Sequence, residues 1–297
     1  MSAWKIRRPT GPASCVDSAV STPAISLREQ LQQLPGLTPI DGVLVQQALA
    51  ADPFERQYLA VRQQEGRVYS DAQVRTLPHP GGALAASHEW RVRAESCRRL
   101  LRHLRARGGS GPLLELGCGN GWLSQRLAEG LQREVCGVDV NRTELAQAAR
   151  VFAASAHLSF VAGDIHTLPL PPQRFDAVVL PACIQYFADP RALIARLLGL
   201  LQHDGELHVI DSPFYADAAQ AQASAARSLR YFSGLGCTEL ADQYHQHTWA
   251  ALDGIALRVL FDPRSLRALC LRALRRPQPH FPWLCIRKRD NPALAVA

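Results

Sequence analysis

The segment Leu113–Ser124 constrains this chain more than any other. Leu113-Leu114-Glu115-Leu116 is a short apolar run, Gly117-Cys118-Gly119-Asn120-Gly121 follows at once, and Trp122-Leu123-Ser124 opens a stretch with helical periodicity. An apolar run this short and continuous suits a strand covered on both faces, as in parallel sheets. The glycines permit positive φ and close approach of a ligand to the backbone. The helix that follows presents unbonded N–H groups to that ligand. The unit points to an α/β sheet with a binding site at its strand ends.

The surrounding pattern agrees. After Leu113–Leu116, short buried strands are expected at Val135–Val138, Leu158–Val161, Asp176–Leu180 and Glu206–Ile210. Helices are expected between them at Trp122–Leu131, Thr143–Ala154 and Pro190–Leu201, with Asn141 or Thr143 as a cap and Asp204-Gly205 as a turn. Strand–helix alternation of this kind builds a doubly wound parallel sheet. Ahead of it, Glu89–Arg107 reads as a long helix, with Trp90, Ala94, Cys97, Leu101 and Leu104 on one face.

Residues 1–25 read as a disordered tail, and residues 26–88 as a helical extension that covers the site. Its helices are expected at Ser26–Leu34, Ile40–Ala51, Phe54–Glu65 and Ser70–Leu77, with a linker over Pro78–Ser87. Residues 89–297 then form the main domain, with an insertion at about 212–250. Beyond it, Gly254–Phe261 and His280–Arg287 are expected strands, and Pro263–Arg275 a helix.

No apolar run reaches the ~18 residues of a membrane span. The eight cysteines form no Cys-x-x-Cys pair and no Cys/His cluster at zinc spacing, so no metal site is expected. Free thiols suit a reducing cytoplasm. Charge is uneven. Residues 1–110 hold 15 Arg/Lys against 9 Asp/Glu, residues 111–215 hold 7 against 11, and residues 216–297 hold 11 against 6. Basic flanks can draw an anionic substrate, although 31 of the 33 basic residues are Arg, which also fits plain compositional bias. No dense basic run with interleaved aromatics favours nucleic acid.

Three features narrow the ligand. Trp122 stands where a dinucleotide-binding Gly-x-Gly-x-x-Gly loop needs its third glycine, and would obstruct a diphosphate. Asp139 ends the next strand, 18 residues after Gly121, where a carboxylate accepts from a ribose diol. Gly163-Asp164-Ile165 follows the third strand, offering an acceptor for an exocyclic amine and an apolar surface for a ring. Glu115 adds negative charge where a cationic ligand would lie.

On Leu114–Gly121, Gly137-Val138-Asp139, Gly163-Asp164-Ile165, Phe175–Val179 and Asp204–Leu207, the chain resembles the class I S-adenosylmethionine-dependent methyltransferases, specifically the type 11 methyltransferase-domain family. The resemblance implies a Rossmann-like seven-stranded sheet with its last strand antiparallel, and S-adenosylmethionine as cofactor. It implies Glu115, Gly117, Cys118, Gly119 and Gly121 at the methionine end, Asp139 and Val140 at the ribose, and Asp164 with Ile165 at the adenine. A looser resemblance over Tyr58–Asp71, Glu89–Arg93 and Asp211–Tyr215 brings Trp90 and Arg93 to the cofactor, Arg93 facing the methionine carboxylate; alternatively Trp90 is core and Arg93 is solvated.

The acceptor side departs from the family. Gln185-Tyr186 stands where many relatives carry a His-His pair, so Gln185 is expected to contact methionine or acceptor. The segment Asp211–Trp249 supplies Tyr215, Tyr231, Phe232, Tyr244 and Trp249 for an aromatic acceptor pocket. Tyr186, Asp211, His245 and His247 are the candidates for a catalytic polar group. A small-molecule acceptor methylated on O, N or C is the leading expectation. RNA or protein methylation, or S-adenosylmethionine binding without turnover, are the alternatives.

Overall fold

The computed structural model describes residues 25–47, 49, 53–81 and 87–295. Residues 1–24 of the expected tail and residues 82–86 of the Pro78–Ser87 linker lie outside them. Helix α1 spans Leu27–Gln32 and is closed by a capping box between Ser26 and Glu29. Strands β1 (Leu37–Ile40) and β2 (Val43–Gln46) form a hairpin, which corrects the helix expected at Ile40–Ala51. Its turn is Asp41-Gly42, with φ of 49° and 81°. Two positive φ angles define the turn that matches strand twist, and Asp-Gly is its preferred pair. The helical spacing of Ile40, Val43 and Leu44 yields to that turn.

Helices α2 (Pro53–Gln64) and α3 (Asp71–Thr76) follow, and α4 (His88–Arg107) leads into the main sheet. The sheet is formed by β3 (Leu113–Leu116), β4 (Val135–Asp139), β5 (Leu158–Ala162), β6 (Phe175–Pro181), β7 (Leu201–Ile210), β8 (Leu257–Phe261) and β9 (Trp283–Arg287) with the hairpin. Among the described residues it has nine strands, in the order β1-β2-β5-β4-β3-β6-β7-β9-β8. The seven expected strands are present, and β9 runs antiparallel to both neighbours. The hairpin adds two more beyond β5. The Asp204-Gly205 turn is absorbed into β7, whose register against β6 shifts near Phe175.

Helices α5 (Trp122–Leu131), α6 (Arg142–Val151) and α7 (Pro190–Leu200) cross between the parallel strands. Side chains alternate across the sheet, as strand geometry requires. Leu113, Val135, Phe160 and Ala177 join one core with Leu100, Leu104, Leu127 and Leu145. Leu114, Cys136, Val161 and Val178 join the other with Leu27, Leu31, Leu193 and Leu197. Helix α8 (Ala218–Gly234) lies in the insertion; its Tyr231 donates to Glu65 just past α2, and Gln57 of α2 donates to Glu239 in the turn after α8. Helix α9 (Leu266–Ala273) starts behind Ser265, which caps it in place of a Pro263 start.

At the end of the sheet away from the glycine loop, Arg107 and Arg133 both donate to the buried carboxylate of Asp176. Arg133 also donates to the Gly111 carbonyl at 2.7 Å. The cluster ties α4, the start of β3 and β6 together. Truncating the acid would strand a buried guanidinium, so Asp176→Ala is expected to cost about 3–5 kcal/mol, read as a lowered urea midpoint. An unchanged midpoint would show that the cluster adds nothing.

Candidate active site

The carboxyl ends of β3, β4, β5 and β6 meet at one rim, and the glycine loop lies on it. Gly117 (φ 78°) donates its N–H to the Val138 carbonyl at 2.8 Å, and a Cβ there would meet Cys183 at 2.7 Å. Gly119 donates to Asp139 Oδ2 at 2.7 Å, and Asn141 to Oδ1 at 2.9 Å. Asp139 thus fixes both the loop and the start of α6, which Asn141 caps through Glu144 N–H.

Three cavities adjoin along this rim. One of about 150 Å³ is lined by Asp139, Val140, Asp164, Ile165, Gly163 and Phe187. A second, about 100 Å³, is lined by Glu115, Gly117, Cys118, Gly119, Trp90 and Arg93. The third is about 630 Å³ and is roofed by α2 and α8. Tyr58 and Ala182 border all three, and Arg62, Arg93 and Asp211 border the second and third.

Most of the expected site residues therefore converge. Gly121 lines none of these three: it packs against Phe160 and Ala148, where a Cβ would sit 2.8 and 2.9 Å away. Trp90 combines both alternatives, since it is core, donates to Tyr69 Oη at 3.1 Å, and borders the second cavity. Arg93 pairs with Glu89 at 2.9 Å and lies 5.4 Å from the Trp90 ring. Gln185 is buried and lines the largest cavity; its Nε2 donates to Ala182 O, and its Oε1 has no hydrogen-bond partner. Tyr186 borders the first and third cavities.

The insertion divides. Tyr231, Phe232 and Tyr244 line the largest cavity. Tyr215 instead bonds Ser224 at 2.6 Å, and Trp249 packs on Phe214. His245 and His247 line none of the three cavities, which corrects their expected place beside an acceptor. Their rings stack, His245 N–H donates to Gln185 O at 2.7 Å, and His247 Nε2 lies 3.2 Å from Ile184 O. They brace the Ile184–Tyr186 turn from behind. Burial also lowers the His247 pKa.

Sequence reasoning missed Glu144. It stands in the first turn of α6, and its carboxylate lies where a Cβ on Gly119 would meet it at 3.1 Å. The available signal was the Asn141 cap, because ligands of doubly wound sheets lie where strands end and the next helices begin. Tyr58 and Arg62, on α2, were recognised only as pieces of a motif.

The site is rich in buried acid. Burial pushes Glu115 up to about 8, against the hydroxyl and backbone N–H of Ser124 that bond it. Burial and the neighbouring Asp139 push Glu144 up to about 7. Burial also raises Asp139, against the backbone N–H groups that bond it. Asp211 is raised by burial and accepts from Ser96 Oγ at 2.7 Å. Such a cluster suits a cationic ligand.

Among the described residues, one further group has metal-ligand chemistry: His103, Glu206, His208 and Cys285. Trp283 Nε1–H donates to His208 Nδ1 at 3.3 Å. The neutral ring therefore carries its proton on Nε2, which faces Glu206 at 3.5 Å. Burial lowers the His208 pKa to about 3. Burial alone would raise Glu206, but His103 and Arg287 hold it at about 2. The group is an ion-pair network.

A family described as a methyltransferase domain matches residues 113–205. Uncharacterised methyltransferases of Mycobacterium tuberculosis and Mycobacterium bovis are each 37% identical over 102 residues, 34% of this chain and 51% of theirs. The chain thus spans about half the length of these curated relatives. The structure of a geranyl diphosphate C-methyltransferase from Streptomyces coelicolor is similar with a TM-score of 0.51 at 15% identity, covering 80% of this chain and 98% of that one. That likeness concerns the fold.

The buried acids give the structure a pH signature. In the unfolded chain Glu115 ionises near 4.5, and in the fold near 8. Between these values the folded protein holds a proton that the unfolded chain has lost, so this group's stabilisation fades as pH rises and is gone above the folded value. Glu115→Gln is expected to gain a few kcal/mol over wild type between about pH 5 and about pH 9. Thermal unfolding across that range checks it, and parallel curves for the two proteins would contradict it.

Proposed function

We propose that this chain, whose residues 113–205 match a methyltransferase-domain family, is a class I enzyme that transfers a methyl group from S-adenosylmethionine to a small-molecule acceptor. The observation that carries this reading is the row of three cavities behind the glycine loop, with buried carboxylates along the inner two. The residues fit that donor. Glu115 is buried and Glu144 half-buried, with few donors and no cation in contact, and the Gln185 Oε1 lacks a partner, as expected beside an ammonium and a sulfonium. When bound, the donor supplies an electrophilic methyl carbon on a cationic sulfur.

Each Asp139 oxygen keeps an acceptor position beyond its backbone N–H bond, suiting a ribose diol. Asp164 accepts from His166 N–H on Oδ1 only, leaving Oδ2 for the adenine amine, with Ile165 beside the ring. Glu115, Gly117, Cys118, Gly119, Gln185 and Arg93 hold the methionine end. Gly121 supports the loop from behind. Displacement at the methyl carbon needs alignment and dryness more than acid–base help. The α2 and α8 segments, within residues 26–88 and 212–250, serve as the lid that excludes water.

Asp211 stands where the inner and outer cavities meet, at the carboxyl end of β7 with φ 55°. Its raised pKa suits a general base for an acceptor that must lose a proton. Tyr186, also at a cavity border, orients the acceptor. The largest cavity falls within the ~300–1,000 Å³ of small-molecule sites, which favours such an acceptor over RNA or protein. Among the described residues no helix is long and apolar enough to cross a membrane, and the described cysteines are free; a cytoplasmic location follows as part of this proposal.

Calorimetry tests the donor reading. Wild type is expected to bind S-adenosylmethionine and S-adenosylhomocysteine, and Asp139→Ala to weaken both by about 1–3 kcal/mol, the scale of lost buried hydrogen bonds. Binding near neutral pH is expected to release protons, because a cation favours the ionised forms of Glu115 and Glu144. Absence of binding by wild type to either compound would sink the proposal.

A further inference from the structure

The largest cavity carries more positive charge than its own acids neutralise. Arg62, Arg67, Arg93 and Arg227 line it, against Glu65, Glu89 and Asp211. The acids are already engaged by the wall. Glu89 takes Arg67 and Arg93, both at 2.9 Å. Glu65 takes Arg67 at 3.2 Å and the Tyr231 hydroxyl. Asp211 takes the Ser96 hydroxyl.

Two arginines are left. Among the described residues, neither Arg62 nor Arg227 has a carboxylate within ion-pair distance. Arg62 is the more telling. Its Nε is buried with no hydrogen-bond partner. Its guanidinium lies 5.8 Å from the Tyr58 ring, and Glu144 and Glu89 act on it only across space. A guanidinium keeps its charge at any ordinary pH. Burying part of it without a counter-ion is costly, so the position suits a ligand that brings one. Arg227 reaches the same cavity from α8 and borders neither of the inner two.

Much of the rest of the wall is aromatic. Tyr58, Tyr186, Tyr244 and Phe232 form a chain of ring contacts, with centroids 6.3, 5.6 and 6.3 Å apart. Tyr231 continues it, 5.4 Å from Phe232. Aromatic rings in edge contact present faces and edges that suit an unsaturated body.

We propose that the acceptor is a small organic anion, a carboxylate or phosphate ester on a flat unsaturated body, with Arg62 and Arg227 receiving the anionic group. The assignment rests on the methyltransferase reading above, and deepens it by naming the acceptor class. The cationic wall then serves two ligands. Arg93 stays with the methionine carboxylate, and Arg62 and Arg227 serve the acceptor. A forked guanidinium bonds either oxyanion through two parallel N–H groups, so carboxylate and phosphate share one recognition chemistry.

The test uses the full chain saturated with S-adenosylhomocysteine, whose binding is measured first; failure at that step would be failure of the donor reading. Three probes are then titrated: 4-hydroxybenzoate, phenyl phosphate and the neutral 4-hydroxybenzyl alcohol. At least one acid is expected to bind about tenfold more tightly than the alcohol. A preference for one acid over the other tells which source of the anion the cavity takes. Arg227→Gln and Arg62→Gln are each expected to weaken that acid about tenfold, with the alcohol shifting less than about twofold. Equal binding of acids and alcohol, no binding of either acid, or acid binding indifferent to both substitutions would overturn the proposal. Loss of S-adenosylhomocysteine affinity in Arg62→Gln would give Arg62 to the methionine carboxylate and overturn its place with the acceptor.

Discussion

The site depends on the carboxylate of Asp139. It ends β4 and takes one N–H from the glycine loop and one from the start of α6. Those two bonds join three pieces that the sheet alone would leave loose: the loop after β3, the end of β4 and the cap of the next helix. Buried backbone donors must be paired somewhere, and here one side chain pairs two. Everything that faces the inner cavities is placed relative to this knot, including Glu144 one helical turn further on.

The same knot concentrates negative charge out of water. Glu115, Asp139 and Glu144 stand near one another with hydroxyl and amide donors but no contacting cation. Folding tolerates this because the groups can hold protons, at a cost in ionisation that a cationic ligand would relieve. On the acceptor side the imbalance is reversed, with arginines in excess of free acid. The two halves of the cavity system therefore have opposite electrostatic demands. Arg93 and Arg62 stand at the border between them.

Much of the parallel sheet was legible because its local signals agree: apolar runs of strand length, Asn141 as a cap, and glycines at the turn. Asp139 and Asp164 could be placed because a carboxylate just past a strand end has few roles. The hairpin was misread because Ile40, Val43 and Leu44 satisfy a helical spacing, and the Asp41-Gly42 turn outweighed it. The insertion was legible in composition only. Nothing local distinguishes Tyr231 and Tyr244, which face the cavity, from Tyr215, which bonds Ser224. His245 and His247 look like bases by residue type, yet their positions follow from how the chain passes behind the Ile184–Tyr186 turn. Arg62 and Glu144 became visible as site residues only when distant elements were brought together.

The hairpin has a consequence for how the molecule behaves in a crowd. Without β1 and β2, strand β5 would form the margin of the sheet, with its backbone groups open to any passing strand. The hairpin moves that margin to β1, four residues long and largely exposed, with Pro39 at its centre. Proline supplies no N–H, and short exposed strands are poor templates for further pairing. At the opposite margin β8 is also short, and carries the exposed Arg258. Both margins thus resist extension by another chain, which guards the concentrated protein against sheet-to-sheet aggregation.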